Sequence, residues 1–424
     1  MTSAPDTIIH GVRIFDGEAT IAGADVLLSG GRIAELSDRV AVPAGAEVVD
    51  GRGRTLLPGL IDCHVHARPE SLEQALAFGV TSELDMFSMP ALAGTLRRVA
   101  AERCDVCDIR SAGLGGAVTN PFLPGVVPTL TSPAEATDFV TGRVADGSDY
   151  IKVYLIDAAW NGGRPIDGET LGALLAETHA RGRLALVHAD SSAAARTFIE
   201  AGGDALAHVL GDLELDQALL DRLRRPGVFV VPTLRVSALF SAERGEATDA
   251  ERAAMLDHPR LGRHLDAGTR AIMTDRELLD DARERNLRQR DGHGHSRLDH
   301  AAALRATAAL HRSGVTVLAG TDVSAGAASP RAPLVRGLAG HGIALHHELL
   351  LLVEAGLTPA EALAAATSHA ARCFGLKDRG RVAPGLRADL LLVDGDPTRD
   401  IRATWEIAAV WRDGARLDRE RPPG

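Results

Sequence analysis

The chain has 424 residues, a formal net charge of -11, 45% hydrophobic and 24% charged residues. That balance excludes a disordered or fibrous polymer and leaves room for a large core and more than one structural unit. The acidic excess excludes the basic footprint of a nucleic-acid binder, and no apolar run of about 18 residues is present to cross a membrane. With aromatics at only 3%, the core must be built from Ala, Leu and Val. Four cysteines in this length are no disulfide framework. Cys104 and Cys107 form a lone C-x-x-C and read as reduced structural thiols. The polar stretch Met1 to Thr7 lacks the pattern of a secretory signal, so a cytoplasmic protein is expected.

Taken in order, the chain opens with short alternating runs. Ile8–Ile14, Ala24–Leu28 and Arg32–Leu36 are separated by Gly-rich turns and predict strands. The C-terminus repeats that texture in Ala388–Val393 and Ile407–Trp411, followed by an Asp413-Gly414 turn. Neither end has enough strands for a stable sheet, so residues 1–57 with 378–424 are expected to form one composite β-sandwich. Between them, over 58–377, apolar runs alternate with helical patterns, the mark of βα units around a parallel sheet. The predicted strands are Leu60–His66, Val80–Met86, Asp108–Ala112, Tyr150–Leu155, Leu184–His188, Ala205–Val209, Val228–Val231 and Val315–Ala319. Eight strands close a (β/α)8 TIM-type barrel. Ser132-Pro133-Ala134-Glu135 and Thr358-Pro359-Ala360-Glu361 have the signature of capped helix starts. A charged, mostly helical insertion, about 233–312, leaves the mouth side of strand seven and reads as a lid or as a solvated decoration.

The first barrel strand carries the chemistry's first signal. His64 and His66 lie two apart, on one strand face, at the end of the run Leu57-Pro58-Gly59-Leu60-Ile61-Asp62-Cys63. Neutral imidazole is a common metal ligand. Other predicted strands present polar groups in matching places: Lys152 inside Tyr150–Leu155, His188 at the end of Leu184–His188, His208 after Ala205–Ala207, and Asp322 after Val317–Thr321. An apolar strand buries such groups only if they are paired or bind metal. Tyr154, two residues beyond Lys152, shares its face and could donate to a substrate carbonyl. His179 reads as surface, and His293 and His295 as residues of a solvated loop. His341, His346 and His347 follow strand eight, where one of them could meet substrate.

Together these motifs resemble the amidohydrolase superfamily of metal-dependent (β/α)8 hydrolases. The resemblance runs from Pro58-Gly59-Leu60-Ile61-Asp62-Cys63-His64-Val65-His66, through Ile151-Lys152-Val153, Val187-His188-Ala189, Ala207-His208 and Gly320-Thr321-Asp322, to the tail Arg379–Leu390. Within it the chain is most similar to prolidase-like dipeptidases and imidazolonepropionase-related amidohydrolases. The resemblance implies two divalent ions, usually Zn2+. His64, His66 and Asp322 would hold one, His188 and His208 the other, with carboxylated Lys152 as the bridge. Burial lowers a lysine pKa, and a neutral amine can add CO2. Asp322 would move the proton between water and the leaving amine. Imidazolonepropionase-type sites use one metal and no bridging lysine, so Lys152 argues against that activity; an unmodified Lys152 would leave a one-metal site of His64, His66, His188 and Asp322.

The expected reaction is hydrolysis of an amide or peptide-like C–N bond, in a dipeptide or N-acyl amino acid. A cyclic-amide hydrolase, a deaminase or a lactone or carbamate hydrolase could use the same residues. The loops with Met86-Phe87-Ser88-Met89-Pro90 and Asn120–Pro128 are apolar and proline-stiffened, which favours an apolar group on the small-molecule substrate. A homo-oligomer is expected.

Overall fold

The computed structural model describes residues 5–118, 125–156, 165–189, 191–209, 215–239, 246–265, 267–275, 284, 299–324 and 340–419. Among them the parallel strands of the middle run where the apolar patterns placed them: Leu60–His66, Val80–Asp85, Asp108–Ser111, Ile151–Leu155, Ala185–Ala189, Ala205–Ala207, Phe229–Val231 and Thr316–Val317. Each pairs in parallel with its sequence neighbour within two ladders. Two joints close the ring. Gly116 N–H donates to Lys152 O and Tyr154 N–H to Gly116 O. Cys63 N–H donates to Ala319 O and Asp322 N–H to His64 O. The fold is therefore a TIM-type barrel, and the C-terminal ends of its strands share one mouth.

Local chemistry sets the alternation. Ser132 accepts the Glu135 N–H at the start of helix Pro133–Ala145, and Thr358 with Glu361 forms a reciprocal capping box at helix Pro359–Ala365. Leu60, Val65, Leu72, Leu76 and Leu96 belong to the apolar layer between strands and helices. Ile61, Cys63, Leu186 and Phe229 fill the barrel interior below the mouth.

The two chain ends share one eight-stranded sheet. Strand Leu390–Asp394 lies antiparallel to Arg54–Pro58, with Leu390 opposite Pro58 and Asp394 opposite Arg54. The sheet curls so that its edge strand Arg32–Ser37 meets the segment leading into Leu390–Asp394, Ile33 N–H donating to Leu386 O. Ile9, Ile14, Val26, Ile33, Leu392 and Trp411 fill its core. It is a composite β-sandwich built by both termini.

This module is bolted to the barrel floor by buried charge. Arg379 Nη1 donates to Asp108 Oδ2 at 2.5 Å and to Ser82 Oγ at 3.0 Å. Burial works against the Asp108 carboxylate, but Arg379 and Arg110 hold its pKa below the usual range.

Two expectations change. The described helices after strand seven, Glu246–Asp257 and Ala267–Thr274 with the turn Gly262–His264, dock on the β-module and the first barrel helix. Arg260 reaches Asp394 at 2.5 Å, Glu251 pairs with Arg402 at 2.9 Å and Thr269 meets Gln74. Charge complementarity thus ties this part of the insertion to the barrel's flank and not to a lid position. His341, His346 and His347 are buried, and helix Ile343–Glu354 is enclosed from Ile343 to Leu352. His341 Nδ1 lies 2.7 Å from Glu83 Oε1, and His346 Nε2–H donates to Phe78 O. These contacts hold His341 and His346 in the shell outside the barrel, away from the mouth. Among the described residues no helix is long and apolar enough to cross a membrane.

Removing the buried Arg379 leaves Asp108 short of its closest partner. Arg379→Met is expected to lower the unfolding free energy by about 3 kcal/mol, read by chemical denaturation. A stability equal to the parent's would mean that the module is held by apolar contact alone.

Candidate metal centre

The mouth gathers the polar strand ends. His64 Nε2 is 3.4 Å and His66 Nε2 3.0 Å from the same Asp322 oxygen, Oδ1. The His208 ring centroid is 4.9 Å from that of His64 and 4.6 Å from that of His188. His64, His208 and Asp322 each offer a ligand atom within 4.8 Å of the others. Tyr154 packs on His188 with centroids 5.8 Å apart, and Lys152 Nζ lies 5.9 Å from the Tyr154 ring centre. All seven residues singled out in the sequence therefore meet at one place. His179 does not: it pairs with Asp204 on the surface. His293, His295 and Asn120–Pro124 lie outside the described residues.

Strand geometry explains the convergence. Residues 64 and 66 face inward while Val65 and Ala67 enter the outer apolar layer. Strands four and five pair with His188 opposite Tyr154 and Leu186 opposite Lys152. Gly320 makes room for strand eight: a Cβ there would come within 2.5 Å of Val231 and 2.9 Å of the His64 backbone nitrogen. A Cβ on Gly115 would lie 2.3 Å from the Tyr154 ring.

Burial then sets protonation. It pushes His64 and His188 well below the ordinary histidine value, with Lys152 and His208 adding repulsion, and takes His208 down to about 4. These rings are neutral near pH 7 and offer lone pairs. Burial lowers Lys152 to about 7, with Asp322 working the other way. It also works to raise Asp322, but His64, His66 and His208 outweigh it and hold that carboxyl well below the carboxylate range. Tyr154 is pushed up by burial and keeps its proton.

The sequence reading gave no role to the groups underneath. Asp62 accepts from Thr321 N–H at 3.0 Å, Thr321 Oγ1–H at 2.7 Å and His64 N–H at 3.2 Å. Thr233 Oγ1 sits 2.8 Å from His208 Nδ1. Asp62 has a visible signal, an acid inside the otherwise apolar run Leu57–Cys63; Thr233 has none.

Among the described residues the buried Lys152 Nζ and His64 Nδ1 have no hydrogen-bond partner. Buried polar atoms are normally satisfied, and a donor set of imidazoles, an amine with its pKa lowered to about 7 and an ionised carboxylate has the composition of a divalent-metal site. The residues present fit metal.

Comparisons with known proteins agree with this geometry. A family model described as the amidohydrolase family matches residues 55–417. An imidazolonepropionase of Cereibacter sphaeroides is 26% identical over 415 residues, covering 92% of this chain and 93% of the relative. Among solved structures, a Xaa-Pro dipeptidase with methionine bound in its active site superposes with a TM-score of 0.73 at 20% identity, over 97% of this chain and 99% of that one. Phenylurea hydrolase B gives 0.73 at 21% identity, over 99% and 98%. At such identities the superpositions speak for the fold.

A lysine amine buried without a hydrogen-bond partner among the described residues is a liability in the metal-free chain. Lys152→Met is expected to stabilise the metal-stripped protein by about 1–3 kcal/mol, measured by denaturation. A destabilised Lys152→Met would mean that the amine already has a favourable partner.

Proposed function

We propose that this chain, which belongs to the amidohydrolase family, is a metal-dependent hydrolase whose substrate is a dipeptide or N-acyl amino acid carrying an apolar group. The observation that carries the reading is the Lys152 amine, without a hydrogen-bond partner among the described residues, beside the neutral rings of His64, His188 and His208 and an ionised Asp322. His64, His66 and Asp322 would hold one divalent ion and His188 and His208 a second, both probed first as Zn2+, with carboxylated Lys152 between them. Such ions, when bound, supply Lewis acidity that polarises a carbonyl and eases ionisation of water.

The chain's own residues do the rest. At about 7, the Lys152 pKa leaves a large neutral fraction near neutral pH, able to add CO2 and release a proton. Asp322 is ionised and at the rim, so it can accept a proton from water and return it to the leaving nitrogen. Tyr154 keeps its hydroxyl proton and can donate it in a hydrogen bond to the carbonyl oxygen as charge develops there. Met89, 49% exposed after strand two, and Val126, 43% exposed after strand three, give the mouth apolar side chains for the substrate.

We assign 1–57 with 378–424 to the β-module and 58–377 to the barrel. With all four cysteines free, we place the enzyme in the cytoplasm; we expect a homo-oligomer, which light scattering decides.

The test is a panel of N-acyl amino acids and dipeptides, assayed with metal analysis. Expected is turnover of members with an apolar acyl or side-chain group, lost on chelation and restored by Zn2+, with two ions per chain. Asp322→Asn should lower kcat by about 10²–10⁴-fold. Labelling with 13C-bicarbonate should give a carbamate signal that Lys152→Met lacks. Turnover confined to lactones, phosphotriesters or deamination substrates would refute the substrate class. One ion per chain, unchanged by bicarbonate, would refute the bridged pair.

A further inference from the structure

Strand seven, Phe229–Val231, brings no side chain to the cluster, yet of the residues just after it Thr233 touches His208 and Arg235 touches Thr321, the residue before Asp322. Of the four described non-glycine residues with positive φ, three lie here: His208 at 71°, Thr233 at 48° and Asp322 at 53°. For a β-branched threonine this backbone region is a strained outlier, kept only where the surroundings impose it.

We propose that the segment Thr233–Arg235, gripped by the Glu348 carboxylate, orients His208 and Asp322, which makes Thr233, Arg235 and Glu348 positioning residues of the centre. The idea rests on the metal reading above for the importance of those two side chains. Glu348 reaches across from helix Ile343–Glu354 and accepts two backbone donors, Leu234 N–H at 2.8 Å and Arg235 N–H at 2.9 Å. Thr233 O accepts Val236 N–H at 2.9 Å from the other side. So held, Thr233 directs its hydroxyl to His208 Nδ1, 2.8 Å away. A hydroxyl can donate or accept, and a metal-binding His208 requires that Nδ1–H donate to Thr233 Oγ1, which leaves the Nε2 lone pair for the cluster.

Arg235 works on the other side. Its side chain is 1% exposed, and Nη1 donates to Thr321 O at 3.0 Å. Thr321 is held below by Asp62 through both N–H and Oγ1–H. A residue gripped at its nitrogen, hydroxyl and carbonyl fixes the turn that follows, and that turn is Asp322. Glycine would adopt φ near 48° at 233 without strain but offers no hydroxyl, so the strained threonine makes sense as a hydrogen-bonding part.

The experiment uses the full chain, stripped of metal. Zn2+ affinity is measured by competition with a chromophoric chelator. The His208 tautomer is read from 15N-histidine spectra of the metal-free protein, with the signal identified by its loss in His208→Asn. Thr233→Val keeps shape and β-branching but removes the hydroxyl; Thr233→Ser keeps the hydroxyl. Expected for Thr233→Val is Zn2+ affinity lower by about 10–100-fold, a changed His208 tautomer signal, and a kcat that falls while KM holds. Thr233→Ser should restore all three. Glu348→Gln should weaken Zn2+ binding in the same way, and it decides the matter if Thr233→Val does not fold. Parental Zn2+ affinity and an unchanged tautomer in Thr233→Val, or parental affinity in Glu348→Gln, would overturn the proposal. A parent chain that binds no Zn2+ would sink the metal reading instead, while the tautomer signal would still decide the role of Thr233.

Discussion

An ionised carboxylate and a lysine amine are buried together at the mouth of a barrel, among the neutral imidazoles of His64, His188 and His208. That arrangement is the constraint on which the rest of this structure depends. Burial penalises charge, so His64, His188 and His208 stay neutral, and Lys152 loses most of its preference for the ammonium form. Asp322 keeps its charge beside His66, which stands 3.0 Å from its Oδ1 and whose own pKa that contact raises in spite of burial. The set is poorly satisfied by itself, with Lys152 Nζ and His64 Nδ1 lacking partners among the described residues. Such a donor set is well suited to a divalent cation.

The scaffold is shaped around that set. Small residues stand where strands must approach the cluster, Gly320 against His64 and Gly115 against Tyr154. The left-handed backbone at His208, Thr233 and Asp322 is concentrated at the strand ends that turn inward. Underneath, Asp62 ties strand one to Thr321, and Glu348 ties the chain after strand seven to an outer helix. The charged floor around Arg379 and Asp108 joins the barrel to the β-module, far from the chemistry. Polar order below and above an apolar belt leaves the mouth free to specialise.

Much of this was legible in the sequence because it is local. Strand alternation is a period-two signal, so the apolar runs ending at His66, His188 and Ala207 appear as strands at nearly the expected residues. The capping box at Thr358 is equally local. What was not legible depends on contacts between distant residues. Nothing in the sequence says that Glu348 will cap the amides of Leu234 and Arg235, or that Thr233 will meet His208. His346 looked available because it follows strand eight; its enclosure against Phe78 and Thr404 is a property of tertiary packing. The helices after strand seven were read from position alone, whereas the ion pairs of Arg260 and Glu251 decide where they dock.

Anomalous diffraction at the zinc edge, from crystals grown with Zn2+ and bicarbonate, tests the central claim most directly. The account requires two peaks at the barrel mouth, one against His64, His66 and Asp322 and one against His188 and His208, with density extending from Lys152 Nζ between them. Peaks absent from these residues, or located elsewhere while the mouth stays empty, would contradict it.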